Sequence, residues 1–343
     1  MQSVNPSLLC SMIIPVHNDA TTLTRCLDTL SAQAVAPGEL EVIVVDDAST
    51  DGSLEVARAR GVRVVALPAR QGPAAARNAG AVEARSAVLL FIDADCEAAP
   101  EWCREMLRPL ADADICGVYG AYRSRQTGCV ARLAQAEFEE RYARLERRES
   151  IDFFATHSTG IRRSIFQQVG GFRTDLRGNE DVELAFRLSQ AGYRLAFAPR
   201  AVVYHEHPNT LRSYLRTKVS RGYWRTLAYA AHPGKAVEDA YTPPWLKLQV
   251  AGMVLAAVML ALSVLDATFW LLFVLMVSAV LLTTWPFTLF VRRTHPNLAF
   301  VVPLFSLARS AALGLGVLAG LIAVARGKHE DPGAPGRQGM KPS

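Results

Sequence analysis

The sequence predicts an α/β fold, a mostly parallel sheet with helices on both faces, followed by an all-helical apolar region. Two observations predict it. Over residues 8–96, short apolar runs alternate with segments of helical spacing, as strands joined by helical crossovers do. From residue 245 to residue 325 the chain is almost uncharged, whereas the part before it mixes apolar runs with charge. A length of 343 residues allows about two structural units.

The elements follow in order. LLCSMIIPV (residues 8–16) reads as a buried strand stopped by Pro15. NDATTLTRCLDTLSAQ places Leu23, Leu27 and Leu30 on one helical face, with Asn18 or Asp19 as N-cap. EVIVV is the second strand, DDASTDGS a turn, and SLEVARARG a helix ending at Gly61. VRVVAL is a third strand, GPAAARNAGAVEAR an alanine-rich helix with Pro73 in its first turn, and AVLLFID a fourth strand running into DADC. Runs apolar on both faces and separated by helices indicate a sheet covered on both sides. Such sheets bind ligands at the carboxyl ends of their strands, where Asp46, Asp47, Asp93 and Asp95 all fall.

Farther on, CVARLAQAEFEERYARLERRES carries both signs of charge and reads as a solvated or lid-like helix face. A helix is expected from Asp181 to Gln190, stopped by Gly192, then two strands, YRLAFA and AVVYH. The domains expected are 1–209, a soluble α/β domain; 210–244, a basic interfacial helix and linker; 245–325, a membrane region; and 326–343, a polar disordered tail. Two apolar segments, starting at Trp245 and Ala267, each hold about 20 apolar residues, enough to cross a bilayer. Only DAT links them, and RRTHPN follows on the side that favours Lys and Arg, the cytoplasm. A third segment, 298–325, is either a span or a re-entrant helix, because Arg309 interrupts it.

Net charge is +5, with Arg212, Arg216, Lys218, Arg221 and Arg225 grouped just before the apolar region. That grouping favours membrane lipids over nucleic acid, for which no zinc-knuckle or helix-turn-helix pattern is present. Six cysteines without CxxC spacing, and a start lacking a signal-peptide pattern, suit a reduced cytoplasmic domain.

Taken together, SMIIPVHNDATTLTRCLDTL, VIVVDDASTDGS, GPAAARNAGA, FIDADC, VGGF and NEDVELAFRLSQAGYRLAFAPRAVVYHEH resemble, in order, a family 2 glycosyltransferase of the GT-A fold. The resemblance covers residues 11–207. It implies an enzyme on the cell membrane, multi-pass with its catalytic domain cytoplasmic. Such an enzyme moves sugar from a nucleoside-diphosphate sugar to a lipid-linked or other membrane-associated acceptor, with inversion. Asp93 and Asp95 would serve a divalent cation, Mg²⁺ or Mn²⁺, Asp95 as direct ligand and Asp93 toward the ribose or the metal. Pro15, His17, Asn18, Asp46, Asp47, Arg77 and Asn78 would line the donor pocket; which of Asp46 and Asp47 meets the base stays open. Asp181 would be the base and Glu180 its neighbour in positioning. His205 is the better third metal ligand, and at most one of His205 and His207 is expected to reach the site. Residues 156–160 sit where the acceptor floor is expected, but HSTG departs from the family's usual residues there, and Q-x-x-R-W, the mark of processive members, is absent. Arg221 or Arg225 would reach the diphosphate. Two alternatives remain: a polyprenyl-phosphate monosaccharide synthase, and an inactive scaffold of the same fold.

Overall fold

In the computed structural model, which describes residues 5, 7–36, 38–176, 178–237 and 239–327, the alternation becomes β1 (Cys10–Val16), α1 (Ala20–Ser31), β2 (Leu40–Asp46), α2 (Ser53–Ala59), β3 (Arg63–Ala66), α3 (Pro73–Glu83) and β4 (Val88–Phe91). There follow β5 (Glu97–Ala98), α4 (Trp102–Leu107), β6 (Ile115–Arg123), α5 (Cys129–Leu145), β7 (Thr159–Arg162), α6 (Arg163–Gln168), α7 (Glu180–Gln190) and β8 (Arg194–Tyr204). The helices α8 (Leu211–Ala231), α9 (Pro233–Val237), α10 (Pro244–Leu262), α11 (Ala267–Thr283), α12 (Trp285–Thr294) and α13 (Val302–Ala325) complete the chain.

One eight-stranded sheet runs in the order β3-β2-β1-β4-β7-β6-β8-β5. The half from β3 to β4 is parallel, as the alternation predicts. β7 runs against both β4 and β6, and β5 against β8, so the sheet is mixed. Even residues of β1, Met12 and Ile14, pack with Leu23, Leu27 and Leu30 of α1. On the opposite face α3 approaches so closely that a Cβ on Gly80 would lie 2.5 Å from Ile13. Both faces are thereby covered, which is why the strands are apolar throughout.

Pro15 does not stop the first strand. It pairs with Val45 inside β1, and the β1–β4 ladder has already ended at Ile13, so the missing N–H breaks no pairing on that side. YRLAFA and AVVYH join into the single strand β8. Gly120 pairs with Ala198 and Ala121 with Val202, so residues 199–201 bulge between them. The charged helix α5 is not a solvated face. Gln135, Glu137 and Arg141 are buried in it, with the Tyr214 hydroxyl donating to Glu137 and the Arg141 guanidinium lying 3.7 Å from the Tyr241 ring. Local partners decide the burial of such charges, and composition cannot report them.

The chain divides into two units. The first holds the sheet, residues 240–243, and α12 with the loop after it. Within this unit His295 of the RRTHPN loop lies 3.2 Å from Glu139 of α5. The second unit comprises residues 215–239, 244–284 and 304 onward. Here the basic helix α8 packs on α13 with little between the backbones. A Cβ on Gly316 would lie 2.1 Å from the Val219 carbonyl, and one on Gly222 2.4 Å from that of Leu313. Asp266 caps α11 by accepting from the Thr268 N–H at 2.7 Å, which closes the α10–α11 hairpin.

Among the described residues, three stretches, Pro244–Leu262, Ala267–Thr294 and Pro296–Ala325, are long and apolar enough to cross a membrane. The second breaks between Thr283 and Trp285, just before Pro286, so α12 belongs to the first unit. Arg309 finds a partner: it donates to Gln249 Oε1 at 2.9 Å, and Gln249 donates to the Thr283 carbonyl at 3.0 Å. Most of the polar tail lies outside the described residues.

Candidate functional site

The carboxyl ends of β1, β2 and β4 open on a cavity of about 300 Å³, near the lower size of small-molecule sites. Pro15, His17, Asp47, Arg77, Asp93 and Asp95 line it, together with Asp19, Arg70 and Gly72. The walls are fixed by hydrogen bonds. Asp47 accepts the N–H groups of Gln71 and Gly72 at 2.7 and 2.8 Å, pinning the turn into α3 and setting Arg70 at the rim. Gly72 takes φ +92° there, a conformation that favours glycine. His17 Nδ1 lies 2.8 Å from the Asp47 carbonyl oxygen, so that nitrogen carries the proton and the ring is held.

Among the described residues, the non-glycine positions with positive φ are Asn18, Ala48 and Asn179, at 54°, 57° and 60°. Each is next to a candidate residue: His17, Asp47 and Glu180. Backbone in that region is costly, and it concentrates where geometry matters more than stability.

Arg77 joins the two halves of the site. Its side chain is 5% exposed, and it donates to Asp93 Oδ1 at 2.6 Å and to Glu180 Oε1 at 2.8 Å. Burial works against its charge, but Asp93 and Glu180 more than offset that, with a further contribution from Asp181. Arg77 therefore ties the strand-end carboxylate Asp93 to the start of α7, although neither Glu180 nor Asp181 lines the cavity. Asp181 is half-buried there. Its Oδ1 accepts the Val182 N–H at 2.7 Å, and the Thr156 N–H approaches Oδ2 at 3.4 Å, which sets it against the turn Thr156–Ser158. That turn is itself anchored, because Trp102 Nε1 donates to Ser158 Oγ at 2.8 Å.

At the other end Asp95 Oδ2 lies 2.8 Å from His205 Nε2, and His205 Nδ1 lies 2.6 Å from the Tyr122 hydroxyl. Burial raises the Asp95 carboxyl, yet the His205 contact and the Cys96 thiol hold it below the ordinary carboxylate range. Burial lowers His205, and Asp95, helped by Asp93, more than reverses this. Asp95, Cys96 and His205 offer ligand atoms within 4.8 Å of one another. Burial and the neighbouring carboxylates hold the Cys96 thiol well above its usual value, and the Asp95 oxygen and His205 nitrogen are the harder donors of the three. Two adjacent donors on one octahedral ion are about 3 Å apart, so the Asp95–His205 spacing fits a hard divalent cation.

Several candidates have other employment. Asn18 Oδ1 accepts the Thr50 N–H at 2.7 Å. Asn78 clips Phe172 through both backbone groups, at 2.7 and 2.9 Å, holding the VGGF segment. Neither lines the cavity, nor does Asp46, whose buried Oδ1 has no partner. His207 faces Gln135 and Tyr122, away from Asp95. Two residues were missed. Arg70 left a signal in the ARQGP stretch, a cation just before a helix start; Tyr122 left none, since its role depends on a pairing of β6 with β8.

Residues 11–170 match the model of Glycosyl transferase family 2. The chain is 29% identical over 204 residues to Glycosyltransferase AglE of Haloferax volcanii, covering 57% of this chain and 66% of that protein. It is 30% identical over 234 residues to the Pre-mycofactocin glycosyltransferase of Mycobacterium tuberculosis, covering 66% of this chain and 48% of that one. The chain thus spans less than two thirds of these relatives' lengths. Among solved structures, the mannosyltransferase PcManGT from Pyrobaculum calidifontis, in complex with GDP-Man and Mn²⁺, shares the fold. Its TM-score is 0.61 at 21% identity, over 91% of this chain and 86% of that one.

Proposed function

Because residues 11–170 carry a glycosyl transferase family 2 domain with the GT-A fold, we infer that the protein transfers a sugar from a nucleoside-diphosphate donor to an acceptor at a membrane surface. The observation that carries this reading is the Arg77 bridge, which ties the strand-end carboxylates to the start of α7. Donor and acceptor machinery meet across it.

The donor enters the cavity between Arg70 and Asp47, with His17 and Pro15 against the nucleotide. Asp95 and His205, with Asp93 beside them, would hold a divalent cation, which would supply charge neutralisation for the departing diphosphate. The acceptor hydroxyl attacks the anomeric carbon from the side opposite the diphosphate. Its oxygen forms the new glycosidic bond, its proton passes to the Asp181 carboxylate, and the bond to the diphosphate oxygen breaks, inverting the centre. Glu180, fixed by Arg77, holds the first turn of α7 in place. A membrane acceptor is favoured by the three apolar stretches and by the seating of His295 on α5, which keeps the loop after the second stretch beside the catalytic unit.

The test is transfer from radiolabelled nucleotide sugars by the full chain in detergent with membrane lipid extract. Product is expected with wild type and not with Asp95→Ala. Absence of both transfer and nucleotide binding for every donor would refute the enzyme and favour a scaffold.

A further inference from the structure

A histidine that binds a cation is neutral and carries one proton, and His205 can present Nε2 to a cation only when that proton sits on Nδ1. Nδ1 faces the Tyr122 hydroxyl at 2.6 Å. A hydroxyl donates or accepts, so this contact alone selects neither tautomer. The selection is made farther along.

Gln135 Nε2 lies 3.2 Å from the Tyr122 carbonyl oxygen and 3.3 Å from Glu139 Oε1. Both are acceptors, so the amide is oriented with its NH₂ toward them. Its Oε1 then faces His207 Nε2 at 3.0 Å, and that nitrogen must carry the proton. With His207 neutral, its bare Nδ1 turns toward the Tyr122 hydroxyl at 3.4 Å, with the two rings stacked at 4.7 Å. The hydroxyl proton goes to His207, and the hydroxyl oxygen accepts from His205 Nδ1–H. The lone pair of His205 Nε2 is left facing Asp95 Oδ2 at 2.8 Å.

The outer end has the same polarity. Glu139 Oε2 lies 3.2 Å from His295 Nε2, and His295 Nδ1 lies 3.5 Å from the Arg132 guanidinium, which only donates. Tyr122, Gln135 and His207 are buried at 5–6% exposure, which keeps water from resetting the direction. Two acceptors at 2.8 Å repel unless a proton or a cation lies between them; a divalent cation takes the proton's place on Nε2 and leaves Nδ1–H as it is.

We propose that Tyr122, His207 and Gln135 are positioning residues that hold His205 in the Nδ1–H tautomer, so that Nε2 and Asp95 are presented together to a divalent cation. This rests on the cation reading given above. It also makes His207, which faces Gln135 and Tyr122, a determinant of metal affinity.

The experiment is Mn²⁺ titration of the full chain in detergent without nucleotide, with free Mn²⁺ read by its paramagnetic resonance signal. Wild type binds, and His205→Gln does not. Tyr122→Phe and His207→Phe each weaken Kd roughly tenfold or more, as loss of an outer-shell partner does. The double variant is no weaker than either single one, because a broken relay cannot be broken again. Unchanged Kd in both single variants, or losses that multiply, would overturn the proposal. Nitrogen-15 histidine spectra of wild type with Mg²⁺ give a reading that needs no substitution at Tyr122 or His207. The signal lost in His205→Gln should show a protonated Nδ1 and a metal-bound Nε2, and the reverse would overturn the proposal. If wild type binds neither ion, the cation reading fails as well; if it binds and the variants match it, only the relay fails.

Discussion

Replacing Arg77 with methionine keeps most of the side-chain volume and removes the charge that Asp93 and Glu180 share. The two carboxylates then differ in fate. Asp93 is 32% exposed in its side chain and recovers water, so its share is discounted. Glu180 is 10% exposed and is left as a buried charge without its partner. Breaking a buried pair from one side costs about 3–5 kcal/mol. For a unit of this size, the lower figure corresponds to a Tm fall of roughly 6–12 °C. Near-ultraviolet circular dichroism of the detergent-solubilised chain during heating measures it. Adding Glu180→Gln to Arg77→Met removes the stranded charge and should recover at least about 1 kcal/mol, because pairs removed together cost less than pairs broken. A Tm within 2 °C of wild type for Arg77→Met, or additive losses in the double variant, would refute the bridge as a structural tie.

Asp181→Asn should lower kcat by roughly 10²–10⁴ if the acceptor is a hydroxyl, and little if it is an ionised lipid phosphate, which needs no base; steady-state transfer with each acceptor class separates the two. Cys129 is the exposed cysteine and the other five are buried, so a thiol reagent at pH 8 should titrate one equivalent in native protein, and more than one would contradict the packing. Cys116, pushed up to about 12 by burial, should react only after unfolding. Glu41 is raised by burial, but hydrogen bonds from Ser11 and Arg85 bring it net below the ordinary carboxylate value. A lowered folded value means the stabilisation is complete above the unfolded value, near 4.3, and is lost as pH falls through the folded one. The Tm gap between wild type and Glu41→Gln should therefore be constant from pH 6 to 8 and close below about pH 4.

The parallel half of the sheet was legible because each strand there is followed by a helix, and periodicity reports that directly. Asp47, Asp93 and Asp95 were placed at the cavity for the same reason, as residues that follow buried runs, whereas Asp46, expected with them, does not line it. What stayed hidden depends on contacts between distant segments. The reversal of β7 follows from its place between β4 and β6, which no local pattern encodes. Asn18 and Asn78 have residue types that suit ligand contact, yet nearby backbone groups occupy them. Arg141 in α5 reads as a surface charge, and only the return of Tyr241 over it makes it interior. Tyr122 became relevant only when β8 carried His205 alongside β6.

Charge at the hollow explains why the parts are arranged this way. Asp93 and Asp95 line the cavity, Glu180 lies across Arg77 from Asp93 with Asp181 next to it in the chain, and Arg77 supplies the buried positive charge between them. Arg77 is already committed to two of those carboxylates, so a diphosphate entering alone meets more negative charge than the site can balance. A divalent cation, held as proposed by Asp95 and His205, would reverse that balance locally, and fixed donors and charges would then act without reorganising. Nucleotide and cation should therefore favour one another's binding, and linkage requires the two effects to be equal. Saturating Mn²⁺ should tighten UDP or GDP, whichever binds, by the same factor that the nucleotide tightens Mn²⁺. In Asp95→Asn both factors should shrink toward one. Nucleotide that binds equally well in EDTA would mean that the carboxylates are screened by some other positive group, and the arrangement inferred here around Arg77 would have to be abandoned.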